Sequence, residues 1–171
     1  MLLQQILSTK NERYFKRACN DWLPLLGCGS SRNVYKLNNN QVLKVAKGEL
    51  GYLQNTEECN NFDKYKELNL FAEIINRDSN NSWIIQPLAI SFKSEDAYLK
   101  LILEMISCVE NNTDYYSEDI FLNTLYKYLK ERSYTFLQDF KKYDSYGRID
   151  NKVYIIDYGM NDNIFNTYFN K

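Results

Sequence analysis

The residues able to do chemistry gather in two stretches. Residues 137–159, LQDFKKYDSYGRIDNKVYIIDYG, hold Asp139, Lys141, Asp144 and Asp157, the last delivered by a short apolar run and followed by an aromatic ring and a glycine. Residues 26–47 hold Gly27 and Gly29 in LGCGSSRNVYKL and Lys44 in QVLKVAK. Glycine has no Cβ, so a turn built on Gly27 and Gly29 lets backbone come close to a phosphate. In a strand, Val42, Lys44 and Ala46 share one face, and an ammonium among apolar neighbours needs anionic partners. A triphosphate and one carboxylate would supply two. Histidine is absent, which excludes Ser-His-Asp and Cys-His nucleophile systems and leaves acid-base work to carboxylates, lysines or tyrosines. Asp-Tyr-Gly alone equally suits an ordinary turn after a strand.

These residues need elements to position them, and the chain supplies enough for one domain. It has 171 residues, 44% hydrophobic and 25% charged, which predicts a folded single domain over residues 1–171. The net charge of -1 and pI near 5.6 show no basic excess, so neither nucleic acid nor membrane is an expected partner. Cys19, Cys28, Cys59 and Cys108 are widely spaced, and with no histidine they make too few ligands for a zinc site. They are expected to be buried or incidental thiols. The start of the chain has no basic segment or cleavage site, and no run of about 18 apolar residues occurs, so the expectation is a soluble, cytoplasmic protein.

Taken in order, Ile6, Leu7, Tyr14, Phe15 and Ala18 have loosely helical spacing and predict one or two short helices. Residues 22–26 read as an edge strand, followed by strands on either side of the glycine turn and by QVLKVAK. Residues 52–76 predict a long helix with Glu57 and Glu58 in its first half. Residues 82–92 and 98–105 read as two or three further strands. Ser117 is the expected cap of a second long helix over residues 120–134.

The set resembles the protein-kinase-like superfamily, in which a glycine-rich loop, a strand lysine, a helix glutamate, H-R-D-x-x-x-x-N and D-F-G follow one another. GSSRNVY, VLKVAK and QNTEE are similar to texts in short kinase-like proteins of bacteriophages, with the resemblance covering residues 26–159. It implies an α+β fold with a five-stranded antiparallel N-lobe sheet, one long helix and a minimal helical C-lobe. The divisions would be 1–21 as a helical extension, 22–106 as N-lobe and 107–171 as reduced C-lobe. It also implies ATP and Mg²⁺ as cofactors. Gly27, Gly29, Ser30, Ser31, Val34 and Ala46 would line the nucleotide site together with Glu104 on the strand end at 103–106. Lys44, oriented by Glu58 or Glu57, would hold the phosphates; Asp157 and Asp144 would hold the metal; Asp139 and Lys141 would be catalytic.

The chain departs from that pattern at several positions. Arg32 stands in place of the third glycine, where it would put a cation over the nucleotide. Leu137 and Gln138 replace H-R, so the usual bracing of the catalytic loop is missing, and Asp144 replaces asparagine. Only twelve residues follow Gly159, too few for an activation segment or a protein-substrate platform. The implied activity is transfer of the γ-phosphate to a hydroxyl of a protein or of the chain itself. The alternative is an inactive, interaction-only relative that engages a host or partner protein. The sequence sets neither the acceptor nor the oligomeric state.

Overall fold

The glycine turn and Lys44 are held by a five-stranded antiparallel sheet. In the computed structural model, which describes residues 2–9, 11–132 and 134–169, its strands are β1 (Leu25–Cys28), β2 (Arg32–Lys36), β3 (Gln41–Ala46), β4 (Asn76–Arg77) and β5 (Trp83–Pro87), in the order β1-β2-β3-β5-β4. Two helices precede it, α1 (Leu2–Leu7) and α2 (Glu12–Trp22). Asn11 starts α2 because its side-chain oxygen accepts from the Arg13 and Tyr14 amides at 3.1 and 3.2 Å. Phe15 and Cys19 form the buried stripe of α2, and with Ile6, Tyr35, Leu43, Val45, Trp83 and Ile85 they make the core behind the sheet. Burial pushes the Cys19 thiol up to about 11, which makes it an inert core residue.

Helix α3 (Glu49–Tyr65) follows β3. Its start is pressed onto the end of the glycine turn: a Cβ on Gly51 would lie 2.4 Å from the Ser31 carbonyl oxygen and 2.9 Å from Ala46 Cα. Those are backbone atoms that no rotamer change can move. Gly51→Ala is therefore expected to destabilise the protein by about 1–3 kcal/mol as overpacking, although alanine is the better helix former. A melting curve checks this, and an unchanged or higher midpoint would refute the close approach.

The chain divides into two compact units, one of residues 1–55 and 74–88, the other of 56–73 and 89–171. In the second unit, α4 (Ala97–Glu110) and α5 (Ile120–Lys130) are packed through Leu99, Ile102, Met105 and Ile106 on one and Leu122, Leu125 and Leu129 on the other. A three-stranded sheet, ordered β6 (Ile90–Ser91), β7 (Tyr146–Ile149) and β8 (Lys152–Ile155), carries the second chemical stretch. Asp150 and Asn151, both at positive φ, form the two-residue turn between β7 and β8. Helices α6 (Tyr134–Asp139) and α7 (Asp162–Tyr168) complete the unit.

Five antiparallel strands form, but not all are those expected. Trp22 ends a helix, and β1 begins three residues later. Residues 98–105 are helical: Leu99, Ile102, Met105 and Ile106 bury one face at spacings of three and four, and the Asp96 side chain caps the Tyr98 amide at 2.9 Å. The fifth strand, β4, begins at Asn76, the last residue read into the long helix. That helix stops at Tyr65, because Asn69 at φ 54 closes a 3₁₀ turn and releases residues 70–72 as buried extended chain. Asp119, not Ser117, caps α5 by accepting from the Leu122 amide at 3.1 Å. No helix among the described residues is long and apolar enough to cross a membrane.

Candidate functional site

In the first unit, Lys44 sits at the centre of the sheet, paired in register with Val34 on β2 and Ile84 on β5, and is 7% exposed. Ala46, on the same face, is fully buried. The glycine turn is short. Gly29 N–H donates to the Arg32 carbonyl at 2.9 Å, and Lys47 Nζ donates to the Gly29 carbonyl and to Cys28 Sγ. Neither Gly27 nor Gly29 has positive φ, and an added Cβ would meet nothing nearer than 4.0 and 3.5 Å respectively. The fold itself thus places no demand for glycine at either position.

Beyond the turn, the chain is tied to α3. Ser31 Oγ donates to Gln54 Oε1, Arg32 donates to Asn55 Oδ1 at 3.3 Å, and Asn55 donates to the Asn81 carbonyl at 2.8 Å. Arg32 is 7% exposed and engaged with the helix, so the expectation of a cation covering the nucleotide is corrected. On β2 Arg32 stands opposite the buried Ala46 of β3, on the same face of the sheet.

In the second unit, Asp144 and Asp157 both act on Asp139, and all three act on one lysine. Asp139 Oδ1 accepts from Lys142 Nζ at 2.5 Å, with the Asp139 side chain 13% exposed and that of Lys142 60%. Burial pushes the Asp139 carboxyl above its ordinary value; Lys142 pulls it down, and the fields of Asp157 and Asp144 push it up again. Burial works against the charge on Lys142, yet Asp139, Asp157 and Asp144 together hold it above its ordinary value. The two shifts are compatible: the lysine faces three carboxylates, whereas Asp139 faces one cation and two like charges.

Ser145, 3% exposed, ties the two aspartate segments together. Its Oγ donates to the Asp139 carbonyl at 2.9 Å, and its own carbonyl accepts from Ile156 N–H at 2.8 Å and Asp157 N–H at 3.4 Å. Tyr158 anchors the other side. It is 1% exposed, its hydroxyl donates to the Ala72 carbonyl at 2.7 Å, and its ring lies 4.7 Å from that of Phe71. Asn61 Nδ2 donates both to the Tyr158 carbonyl (3.3 Å) and to Glu57 Oε1 (3.1 Å). With Tyr158 inward, Asp157 is exposed. Asp144 is exposed on a 3₁₀ turn over Tyr143–Ser145. No group of three or more carboxylate or thiol ligands among the described residues is arranged to hold a metal by itself.

Two expected site residues are placed differently. Lys141 does not face Asp139; its ammonium pairs with Glu110 at 2.6 Å, and Lys142 takes the place beside the carboxylate. Had the α6 turn been followed past Asp139, the i+3 position would have pointed to Lys142 and away from i+2. Glu104 lies on the exposed face of α4, because the segment is a helix and has no strand end to line an adenine site. Of the two candidate glutamates, Glu58 is fully buried, while Glu57 is half-buried and bonded to Asn61. Gly51 and Glu110 were not singled out in the sequence: one is an unremarkable glycine in a helix, the other stands 28 residues from its nearer partner, Gln138.

No family model and no curated protein sequence matches the chain. Among solved structures, it is similar to choline kinase LicA from Streptococcus pneumoniae, at 14% identity and TM-score 0.43 over 86% of this chain and 68% of that one. It is also similar to SAICAR synthase from Saccharomyces cerevisiae complexed with SAICAR, at 12% identity and TM-score 0.34 over 40% of this chain. The chain spans about a third of that synthase, 34% of its length.

Proposed function

We propose that the protein is a kinase-like phosphotransferase that moves the γ-phosphate of Mg-ATP to a hydroxyl of a protein or of itself. One observation carries this reading: Asp139, a sheltered carboxyl, shares one lysine with two exposed aspartates, Asp144 and Asp157. Three carboxylates against one ammonium leave an excess of negative charge that suits a divalent cation. Mg²⁺ takes one or two carboxylates and completes its shell with water and substrate phosphates, so Asp144 and Asp157 fit it without a third protein ligand. When bound, the metal would neutralise charge on the phosphates.

The chain's own residues supply the rest. Lys44 would hold phosphate oxygens from the middle of a strand, and the turn at Gly27–Ser31 would let backbone come close to them. Asp139 would orient the attacking hydroxyl and accept its proton at a carboxylate oxygen, which its sheltered position favours. Lys142, not Lys141, would offset charge on the transferred phosphoryl group. Glycines that the fold does not itself require fit a turn whose backbone a phosphate approaches.

Thermal unfolding with ATP, with and without magnesium, tests this. ATP at 100 times its dissociation constant adds about 2.7 kcal/mol, which for this size is a rise of roughly 5–10 °C. The rise is expected to need magnesium in the wild type and to be lost in Lys44→Ala and Asp157→Ala. No rise at millimolar ATP would refute the nucleotide site; a rise without phosphate transfer would favour the inactive, partner-binding alternative. Gly29→Ala makes a sharper comparison: the ligand-free midpoint should hold or gain about 0.4–1 kcal/mol, while the rise with Mg-ATP shrinks. An unaltered rise would show that the turn does not approach phosphate.

A further inference from the structure

The turn that presents Asp139 is weakly held by its own backbone. Its hydrogen bonds lengthen along the chain, from Phe140 N–H to the Leu137 carbonyl at 3.1 Å, through Lys141 to Gln138 at 3.3 Å, to Lys142 to Asp139 at 3.4 Å. The last two exceed the ordinary range for such bonds. Side chains from β7 and the preceding 3₁₀ turn hold the carbonyl side, through Ser145 Oγ to the Asp139 carbonyl and Tyr146 Oη to the Phe140 carbonyl. The opposite side is tied to α4. Glu110, its last residue, accepts from Gln138 Nε2 at 3.3 Å and pairs with Lys141 Nζ at 2.6 Å, both through Oε1. Those two residues stand immediately before Asp139 and two after it. The Glu110 and Lys141 side chains are 20% and 33% exposed, so the pair is less screened than one in open solvent.

We infer that Glu110 is a positioning residue for Asp139. Its carboxylate clamps the turn from both sides, doing from a neighbouring helix what Leu137 and Gln138 cannot do within the loop. By engaging Lys141 it also leaves Lys142 as the cation Asp139 meets. This assignment rests on the phosphotransferase reading for the role of Asp139, and on geometry alone for the clamp.

Two variants of the full chain test it, Glu110→Ala and the reversed pair Glu110→Lys with Lys141→Glu. Amide hydrogen exchange reports the clamp without catalysis. In Glu110→Ala the amides of Phe140, Lys141 and Lys142 are expected to exchange about tenfold faster, as loss of a charged hydrogen bond implies, with β3 and β5 unchanged. In the transfer assay, kcat should fall by about 10- to 100-fold with little change in KM for ATP, since a misplaced reacting group loses rate and not ground-state binding. The reversed pair should recover most of both effects. Unchanged exchange in Glu110→Ala, or faster exchange that the reversed pair does not slow, would overturn the assignment; so would a KM effect without a kcat effect. If the wild type transfers no phosphate while the exchange pattern is as expected, the clamp stands and the phosphotransferase reading falls.

Discussion

Asp139→Asn is expected to lower phosphate transfer by about 10²- to 10⁴-fold, the range supplied by a positioned acid-base group, and at the same time to raise the thermal midpoint at neutral pH. The two effects have one cause. The site holds the Asp139 carboxyl above its ordinary value through burial and the facing Asp157 and Asp144 carboxylates, so the folded protein binds a proton there more readily than the unfolded chain does. Between the ordinary value of about 4 and the raised one, the folded state carries more protons, and stability contributed by this group falls as pH rises. Above that window the penalty is constant; below it there is none. The asparagine variant has no such term. Its advantage over the wild type should be absent in acid, open as pH rises past about 4 and remain at neutrality. The lost ion pair with Lys142 offsets little, because that lysine side chain is 60% exposed. Melting curves across pH together with a transfer assay check both halves. A lower midpoint for the variant at neutral pH would refute the electrostatic account, and near-wild-type transfer would refute the role of Asp139.

Tyr158→Ala carries the largest expected loss of stability. The ring is 1% exposed and packs at a tilt against Phe71, which in turn meets the Tyr128 ring edge-on at 5.3 Å. Removing an aromatic side chain of this burial costs about 3–5 kcal/mol, or a midpoint lower by roughly 10 °C for a chain of this size. Tyr158→Phe keeps the ring and leaves the Ala72 carbonyl without this donor, at about 1–3 kcal/mol. The pair of variants separates ring from hydroxyl. Because Tyr158 holds the backbone next to Asp157, Tyr158→Ala should also diminish the magnesium-dependent ATP shift, whereas Tyr158→Phe should largely retain it. Equal losses for the two would mean that the hydroxyl alone anchors the segment.

The two predictions turn on residues whose legibility in the sequence differs. Asp139, Asp144 and Asp157 could be picked out by spacing, and the reach of Asp144 and Asp157 to Asp139 follows from the turn, the hairpin and the strand that the same stretch encodes locally. That Tyr158 would point inward was not legible, since its partners Phe71 and Ala72 come from chain released by the helix end at Asn69.

What the sequence by itself determined is local in origin. A short run of apolar, partly β-branched residues makes β3 a strand buried on both faces and places Lys44 within it; glycine and asparagine mark the turns; the absence of histidine leaves acid-base work to carboxylates, lysines or tyrosines. Such features depend on neighbours within a few residues, where steric and hydrogen-bonding preferences act directly. Only the tertiary structure decided that residues 97–110 are helix and not strand, because the choice between periods of 2 and 3.6 in AYLKLILEM depends on which face finds α5 to bury against. It alone decided that Arg32 turns to Asn55, that Gly51 must lack a side chain, and that Lys141 goes to Glu110 while Lys142 goes to Asp139. Adjacent lysines have the same intrinsic chemistry. What separates them is the direction of one turn and the carboxylate that awaits each, and those are set by segments far away in the chain.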